Sequence, residues 1–209
     1  MEKEIFKPGN MLYPLPAVMV SCADQNGNNN IITVAWCGTI CTNPPMVSVS
    51  IRPERYSYSI IEKTKEFVIN LTTEELAKAA DFCGVRSGRE VNKFKEMSLT
   101  PKKGEKVNAP MIEESPVNIE CRLKEIIKLG SHDLFLAEVV GVQVDKRSIN
   151  ETGKFELNKT RPVVYSHGEY YGLGTLLGSF GYSVRKQKVQ KLDKKQIKKS
   201  RGKINHEKG

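Results

Sequence analysis

The chain has 209 residues, 39% of them apolar and 27% charged, the balance of a globular protein with one well-buried core. No apolar run approaches the ~20 residues that a bilayer span requires, and the start MEKEIFKPGN has no apolar leader core, so a cytoplasmic protein without membrane contact is expected. The net charge of +9 belongs to one end: residues 185–209 hold eleven Lys/Arg and two acids, while the 22 basic and 22 acidic residues before them cancel.

In chain order, residues 1–15 hold two prolines and a Gly-Asn pair and read as an irregular arm wrapping the body. Ala17–Ala23 is a strand candidate, and Asn26-Gly27 is a hairpin signal leading to a second strand, Ile31–Trp36. A Gly-Thr-Ile-Cys-Thr-Asn-Pro-Pro segment then reads as a turn or loop before Met46–Ile51, which alternates apolar residues with serine. A helix over about Tyr58–Lys65 and a strand Glu66–Leu71 follow. Thr72 and Glu75 have capping-box spacing, opening a helix that runs through Cys83 and stops at Gly84. On it Leu76, Ala79, Ala80 and Cys83 share a face.

The next stretch, to Phe94, reads as a loop mixing Ser and Gly with cations, and Pro101–Pro116 as a polar surface excursion. Two long β-rich runs, Val117–Leu129 and Leu134–Val144, are joined by Gly130-Ser-His-Asp133, a joint short enough to require antiparallel pairing. A last hairpin is expected between Pro162–Ser166 and Glu169–Leu173. Strands at short spacing with one or two helices predict a mainly β, antiparallel barrel with helical additions. The Lys/Gln-rich end from 185 has too few large apolar groups to order itself.

Chemistry is suggested first by Arg52, Arg55, Ser57 and Ser59, which follow a strand and precede a helix, where unpaired N–H groups favour an anion. A second set, Arg86, Ser87, Gly88, Arg89 and Lys93, could converge with them on one phosphate; solvated surface cations are the plain alternative for each. Trp36 is the only tryptophan, either a packing aromatic or a pocket wall. Cys37 and Cys41 lack the second pair of a structural zinc site, so no metal is expected and the five cysteines read as reduced thiols. His132 is either an ordinary turn residue or an imidazole facing a cofactor. No Walker loop, dinucleotide fingerprint or nucleophile elbow occurs. The basic end leaves nucleic acid open as a partner, without any recognised RNA- or DNA-binding signature.

The blocks Ile31-Ile-Thr-Val-Ala-Trp-Cys-Gly, Asn43-Pro-Pro-Met-Val-Ser-Val-Ser-Ile-Arg-Pro, Gly130-Ser-His-Asp-Leu-Phe-Leu-Ala-Glu-Val and Arg161-Pro-Val-Val-Tyr, in order over residues 9–184, resemble the flavin reductase-like family, particularly its flavoredoxin-type members. The resemblance implies an FMN-binding split β-barrel over residues 1–184, a homodimer, and a separate basic tail over 185–209. It implies that Thr33, Val34, Ala35, Trp36 and Cys37 line the isoalloxazine ring. Ser50, Ile51, Arg52 and Ser57 would hold the ribityl chain and phosphate, with Ser87, Gly88 and Lys93 closing over the phosphate. His132 matches a histidine near the flavin or nicotinamide. Where the family often reads Asp-Lys-Phe, this chain has Asn92-Lys93-Phe94.

The implied function is an FMN-dependent oxidoreductase passing hydride or electrons from NAD(P)H or a redox protein to a flavin or other acceptor. The alternative is a flavoredoxin-like electron carrier that does not use NAD(P)H. In either case the cofactor carries the redox chemistry and the protein positions and tunes it.

Overall fold

A computed structural model of the protein describes residues 1–185. Along them run β1 (Leu15–Pro16), β2 (Val18–Ala23), β3 (Asn29–Val34), β4 (Cys37–Cys41), β5 (Met46–Ile51), α1 (Tyr56–Thr64), β6 (Glu66–Leu71), α2 (Ala77–Val85), α3 (Lys93–Glu96), β7 (Pro101–Lys102), β8 (Met111–Ile112), β9 (Val117–Lys128), β10 (Asp133–Val144), β11 (Val163–Ser166) and β12 (Glu169–Gly172). Met1–Leu173 form one compact unit, and a second begins at Gly174 with a single 3₁₀ turn, Tyr182–Val184, among its described residues. The boundary expected at 184 lies inside that second unit, and the basic segment beyond 185 is outside the described residues.

Seven strands make the main sheet, in the order β3-β2-β6-β9-β10-β5-β4, with every neighbouring pair antiparallel. The sheet rolls into a split barrel. Inward residues of β3 and of all five inner strands, including Val20, Ile32, Val49, Phe67, Cys121 and Phe135, form one buried cluster that Tyr58, Ile60 and Ile61 of α1 join. The β2–β3 hairpin turns at Gly27 (φ +82°), where the Asp24 carboxylate accepts the N–H groups of Asn26 and Asn28 at 2.9 Å.

Outside the barrel, α2 and α3 cover Met19 and Ile31; Leu76, Ala79, Ala80 and Cys83 all join that second buried cluster. A third cluster sets Val107, Ala109 and Met111 against Val68 of β6. The 101–116 stretch is therefore a packed cover, not the surface excursion its prolines suggest. Its place is fixed by buried polar groups: Asn70 Oδ1 accepts from Ile112 N at 2.9 Å and from Asn118 Nδ2 at 2.8 Å.

Four other expectations are corrected. The strand predicted over Ile31–Trp36 ends at Val34, and after a bend at Ala35-Trp36 the supposed loop becomes edge strand β4. The reason is a backbone switch of partner: Trp36 O accepts from Ser50 N at 2.8 Å, so the chain leaves β2 and joins β5. The Thr72–Glu75 capping box does not form. Thr72 is buried beside β11, its carbonyl accepting from Val163 N, and Thr73 Oγ1 instead accepts from Leu76 N at 3.4 Å. Gly84 lies within α2, and the following loop contains α3, capped by Asn92 Oδ1 accepting from Lys95 N. Of the arm expected over 1–15, residues 1–12 are exposed throughout, while Tyr13 packs against the His167 ring and Leu15 pairs with Tyr165 of β11.

Candidate functional site

Two adjoining cavities open where β3, β5, α1 and α2 meet, and they share Ile32 and Arg55 as walls. The larger, about 370 Å³, lies along β3 and the ends of β5 and of the β9–β10 joint. The smaller, about 260 Å³, lies between residues 54–57 at the start of α1 and residues 86–93 after α2.

The smaller cavity is built on close approach. Asn30 of β3 is buried, and its Nδ2 donates to Ser57 Oγ at 2.8 Å. An ideal Cβ on Gly88 would sit 2.0 Å from Asn30 Oδ1, so only glycine fits there. Lys93 is 5% exposed, and its Nζ donates to Ile31 O and Cys83 O at 2.7 Å each. Both partners are neutral backbone carbonyls, and burial pushes the nearby Cys83 thiol up to about 11. Burial, with a contribution from Arg55, pushes Lys93 down to about 8. A buried ammonium with two carbonyls and a third N–H to place has the chemistry to accept an anion. The surrounding cations are partly committed: Arg86 pairs with Glu90 at 3.6 Å, and Arg52 with Glu54 at 3.7 Å.

The larger cavity takes one wall from β3 and another from α2. Thr33 Oγ1 donates to Ala80 O, and Gly84 lets α2 come down on β3, its ideal Cβ lying 3.3 Å from Thr33 Cβ. Trp36 and His132 meet edge to face, with ring centroids 4.6 Å apart at 81°. His132 is held by its neighbour. Asp133 is buried and accepts from Tyr58 OH at 2.7 Å and Lys128 Nζ at 2.8 Å, which locks the β9–β10 joint onto α1. The Lys128 and Tyr58 donors hold the Asp133 carboxyl below its ordinary range. Partial burial, then Arg52, lowers His132 below its ordinary 6.5, so it is neutral at pH 7. Ser131 Oγ lies 3.0 Å from its Nδ1, leaving Nε2 as the free ring nitrogen.

Thr33, Val34, Ala35, Trp36, Ser50, Ile51, Arg52 and His132 thus line the larger cavity, and Ser57, Ser87, Gly88 and Lys93 the smaller. Cys37 lines neither. Its side chain packs against the barrel core, and burial pushes its thiol up to about 12. Ser59 faces a separate groove with Asp24 and Lys63, away from the other hydroxyls of its group. The sequence reading missed Asn30, Tyr56, Asp81, Tyr165 and Tyr170 as wall residues. Asn30 sits in a run of asparagines that reads as turn, and nothing local marks it as the one that points inward. Asp81 and Tyr170 meet only through tertiary packing, the phenol donating to the carboxylate at 3.4 Å.

Among the described residues no helix is long and apolar enough to cross a membrane. Residues 11–174 match the family described as flavin reductase like domain. The structure is similar to the flavoredoxin of Desulfovibrio vulgaris (Miyazaki F), 32% identical, covering 88% of this chain and all of that one, with a TM-score of 0.83. It is also similar to the flavoredoxin from Methanosarcina acetivorans, 25% identical over 87% of this chain and 97% of that one, with a TM-score of 0.78. An uncharacterized protein of Archaeoglobus fulgidus is 32% identical over 68% of this chain and 79% of its own length. The chain belongs to the flavin reductase like domain family, with the mainly β, antiparallel split-barrel fold and a flavin-related redox role of oxidoreductase or electron carrier.

Proposed function

We propose that the protein is an FMN-binding oxidoreductase, with the ring in the larger cavity and the phosphate in the smaller. The observation that carries this reading is Lys93, a buried ammonium with only carbonyl partners, set in the smaller cavity that adjoins the larger one at Ile32 and Arg55. The residues fit such a group: the glycine cradle at Gly88, the Asn30–Ser57 pair and the cations of 52–57 and 86–93 suit a phosphate monoester. When bound, FMN supplies the hydride and electron chemistry.

The protein's own part is positional and electrostatic. Lys93 and Arg55 draw the phosphate in, with Ser57, Ser87 and the Gly88 backbone around it. Thr33, Val34 and Ala35 of the β3 end, with Ser50, Ile51 and Arg52, set the depth of the ring. Trp36 and His132 wall the mouth and limit water, and the neutral imidazole can hold a proton at Nε2 beside the reacting face. NAD(P)H is the proposed donor, entering the same mouth, and a flavin or redox protein the acceptor. A homodimer is proposed through the margin at β4, the outer strand of the main sheet, which exposes Ile40 and Trp36 next to the mouth.

The likeness to two flavoredoxins favours a second reading, an FMN carrier that exchanges electrons with proteins and does not oxidise NAD(P)H. A visible absorption spectrum followed by anaerobic titration with NADH and NADPH separates the two. Rapid bleaching of a flavin spectrum supports the reductase and identifies the donor. A spectrum that resists both nucleotides but bleaches with a reduced redox protein supports the carrier. A colourless protein that does not take up added FMN overturns both.

A further inference from the structure

The two walls of the smaller cavity come from distant parts of the chain, residues 54–57 and residues 86–93. One side chain joins them. Arg89 Nη1 donates to Glu54 O at 3.1 Å, and its guanidinium carbon lies 5.3 Å from the centroid of the Tyr56 ring. The guanidinium is therefore held by a carbonyl and by a π face together, and Ser87 Oγ accepts from Arg89 N at 3.3 Å to steady the backbone that carries it. Its counterpart Arg86 is engaged differently, by Glu90 on its own wall, so Arg89 alone spans the gap among the arginines that line this cavity.

We propose that Arg89 is a strap whose closure on Tyr56 and Glu54 sets how long the phosphate end of the bound flavin stays in place. Arg89 is a positioning residue: it acts through the opposite wall, and the anion is held by Lys93 and Arg55. This rests on the FMN reading of the site. It goes beyond that reading by naming what decides between a flavin retained through turnover and one exchanged with solution. With the strap closed, both walls must part before the phosphate leaves. With it removed, residues 86–89 can swing away from 54–57 while the anion contacts stay as they are.

The test is the FMN dissociation rate of the full chain, read from the recovery of free-flavin fluorescence after dilution far below the dissociation constant. Arg89→Gln is expected to raise the rate about tenfold, from the loss of a charged hydrogen bond and a cation–π contact. Tyr56→Leu keeps the apolar bulk and the Arg89 charge but removes the π face; it is expected to raise the rate several-fold, and Tyr56→Phe to restore it. The double variant Arg89→Gln/Tyr56→Leu is expected to match Arg89→Gln alone, since both break one contact. Unchanged melting of the flavin-free variants separates strap loss from misfolding. Should either variant melt early, Arg89→Lys, which keeps the charge and loses the planar fork, takes its place with the same expected rise. A wild-type rate in Arg89→Gln overturns the strap, as does an additive double variant, which would make Arg89 a simple phosphate contact. A wild-type protein that binds no FMN overturns the parent reading instead.

Discussion

Asn30 occupies the space that any side chain at position 88 would need, with its Oδ1 2.0 Å from the ideal Cβ of Gly88. The two residues are 58 positions apart in sequence and belong to β3 and to the turn after α2. Gly88→Ala must push Asn30 off Ser57 or move the turn outward. The expected result is a loss of FMN affinity of about tenfold or more, about 1.4 kcal/mol per factor of ten, measured by quenching of flavin fluorescence. Because the turn is at the surface, the melting temperature of the flavin-free protein is expected to change little. A variant that binds as tightly as the parent would show that the Asn30–Ser57 pair is dispensable.

Lys93 gives the site a pH dependence with a definite sign. Its folded value is pushed down to about 8 from an ordinary 10.5, and an anion beside it favours the protonated form. FMN affinity is expected to be flat from about pH 7, where the phosphate is a dianion, to about 8 and to weaken as pH rises further, with proton uptake on binding that calorimetry in buffers of different ionisation enthalpy detects. The flavin-free protein behaves oppositely. Between pH 8 and 10.5 the unfolded chain binds the proton that the folded one has released, so this residue makes stability rise with pH in that window. Lys93→Met is expected to abolish both trends.

Asp133 joins α1 to the β9–β10 joint through Tyr58 and Lys128. Its folded carboxyl is depressed below the ordinary 3.8 by those donors, so its contribution to stability is present above that value and is lost as pH falls below it. Asp133→Asn is expected to lower the urea midpoint at pH 7, and the gap from the parent is expected to be smaller at pH 3. A gap that is the same at both pH values would mean that shape, not charge, secures the joint.

His132 stands against Trp36 at the mouth of the larger cavity. On the reductase reading, His132→Ala is expected to slow anaerobic reduction of bound flavin by NAD(P)H about tenfold to a hundredfold, with FMN affinity changed less than threefold. Since burial and Arg52 hold it below its ordinary 6.5, the parent rate is expected to owe little pH dependence to this residue between pH 7 and 8. Stopped-flow absorbance measures the rate directly.

Much of the barrel was legible because its signals are local. The alternation of Met46–Ile51, the Asn26-Gly27 turn and the short joint at 130–133 each fix a strand or a hairpin without reference to anything distant. The errors fall where a distant partner decides. Ala35-Trp36 looks like the end of a strand until Ser50 takes the Trp36 carbonyl. Thr72 looks like a helix cap until β11 takes its carbonyl. The prolines of 101–116 suggest exposure until Asn70 and Val68 supply a surface to cover. In the candidate site, two clusters mixing Ser with Arg or Lys suggest an anion, but Asn30 could not be told from its neighbouring asparagines because its meaning lies entirely in Gly88 and Ser57.

β3 and β4 are the two outermost strands of the main sheet, yet only Ala35 and Trp36 separate them in sequence. The chain steps from one margin of the barrel to the other in a single stride, and that stride is also a wall of the larger cavity. The seam of the barrel and the lip of its pocket are thus one piece of backbone. Slippage of either margin would drag the lip with it, so strand register and cavity shape cannot drift apart. Reshaping the pocket at this lip means re-stitching the barrel, whereas the far walls at Tyr165 and Tyr170 stand on a separate small sheet and can vary without that consequence.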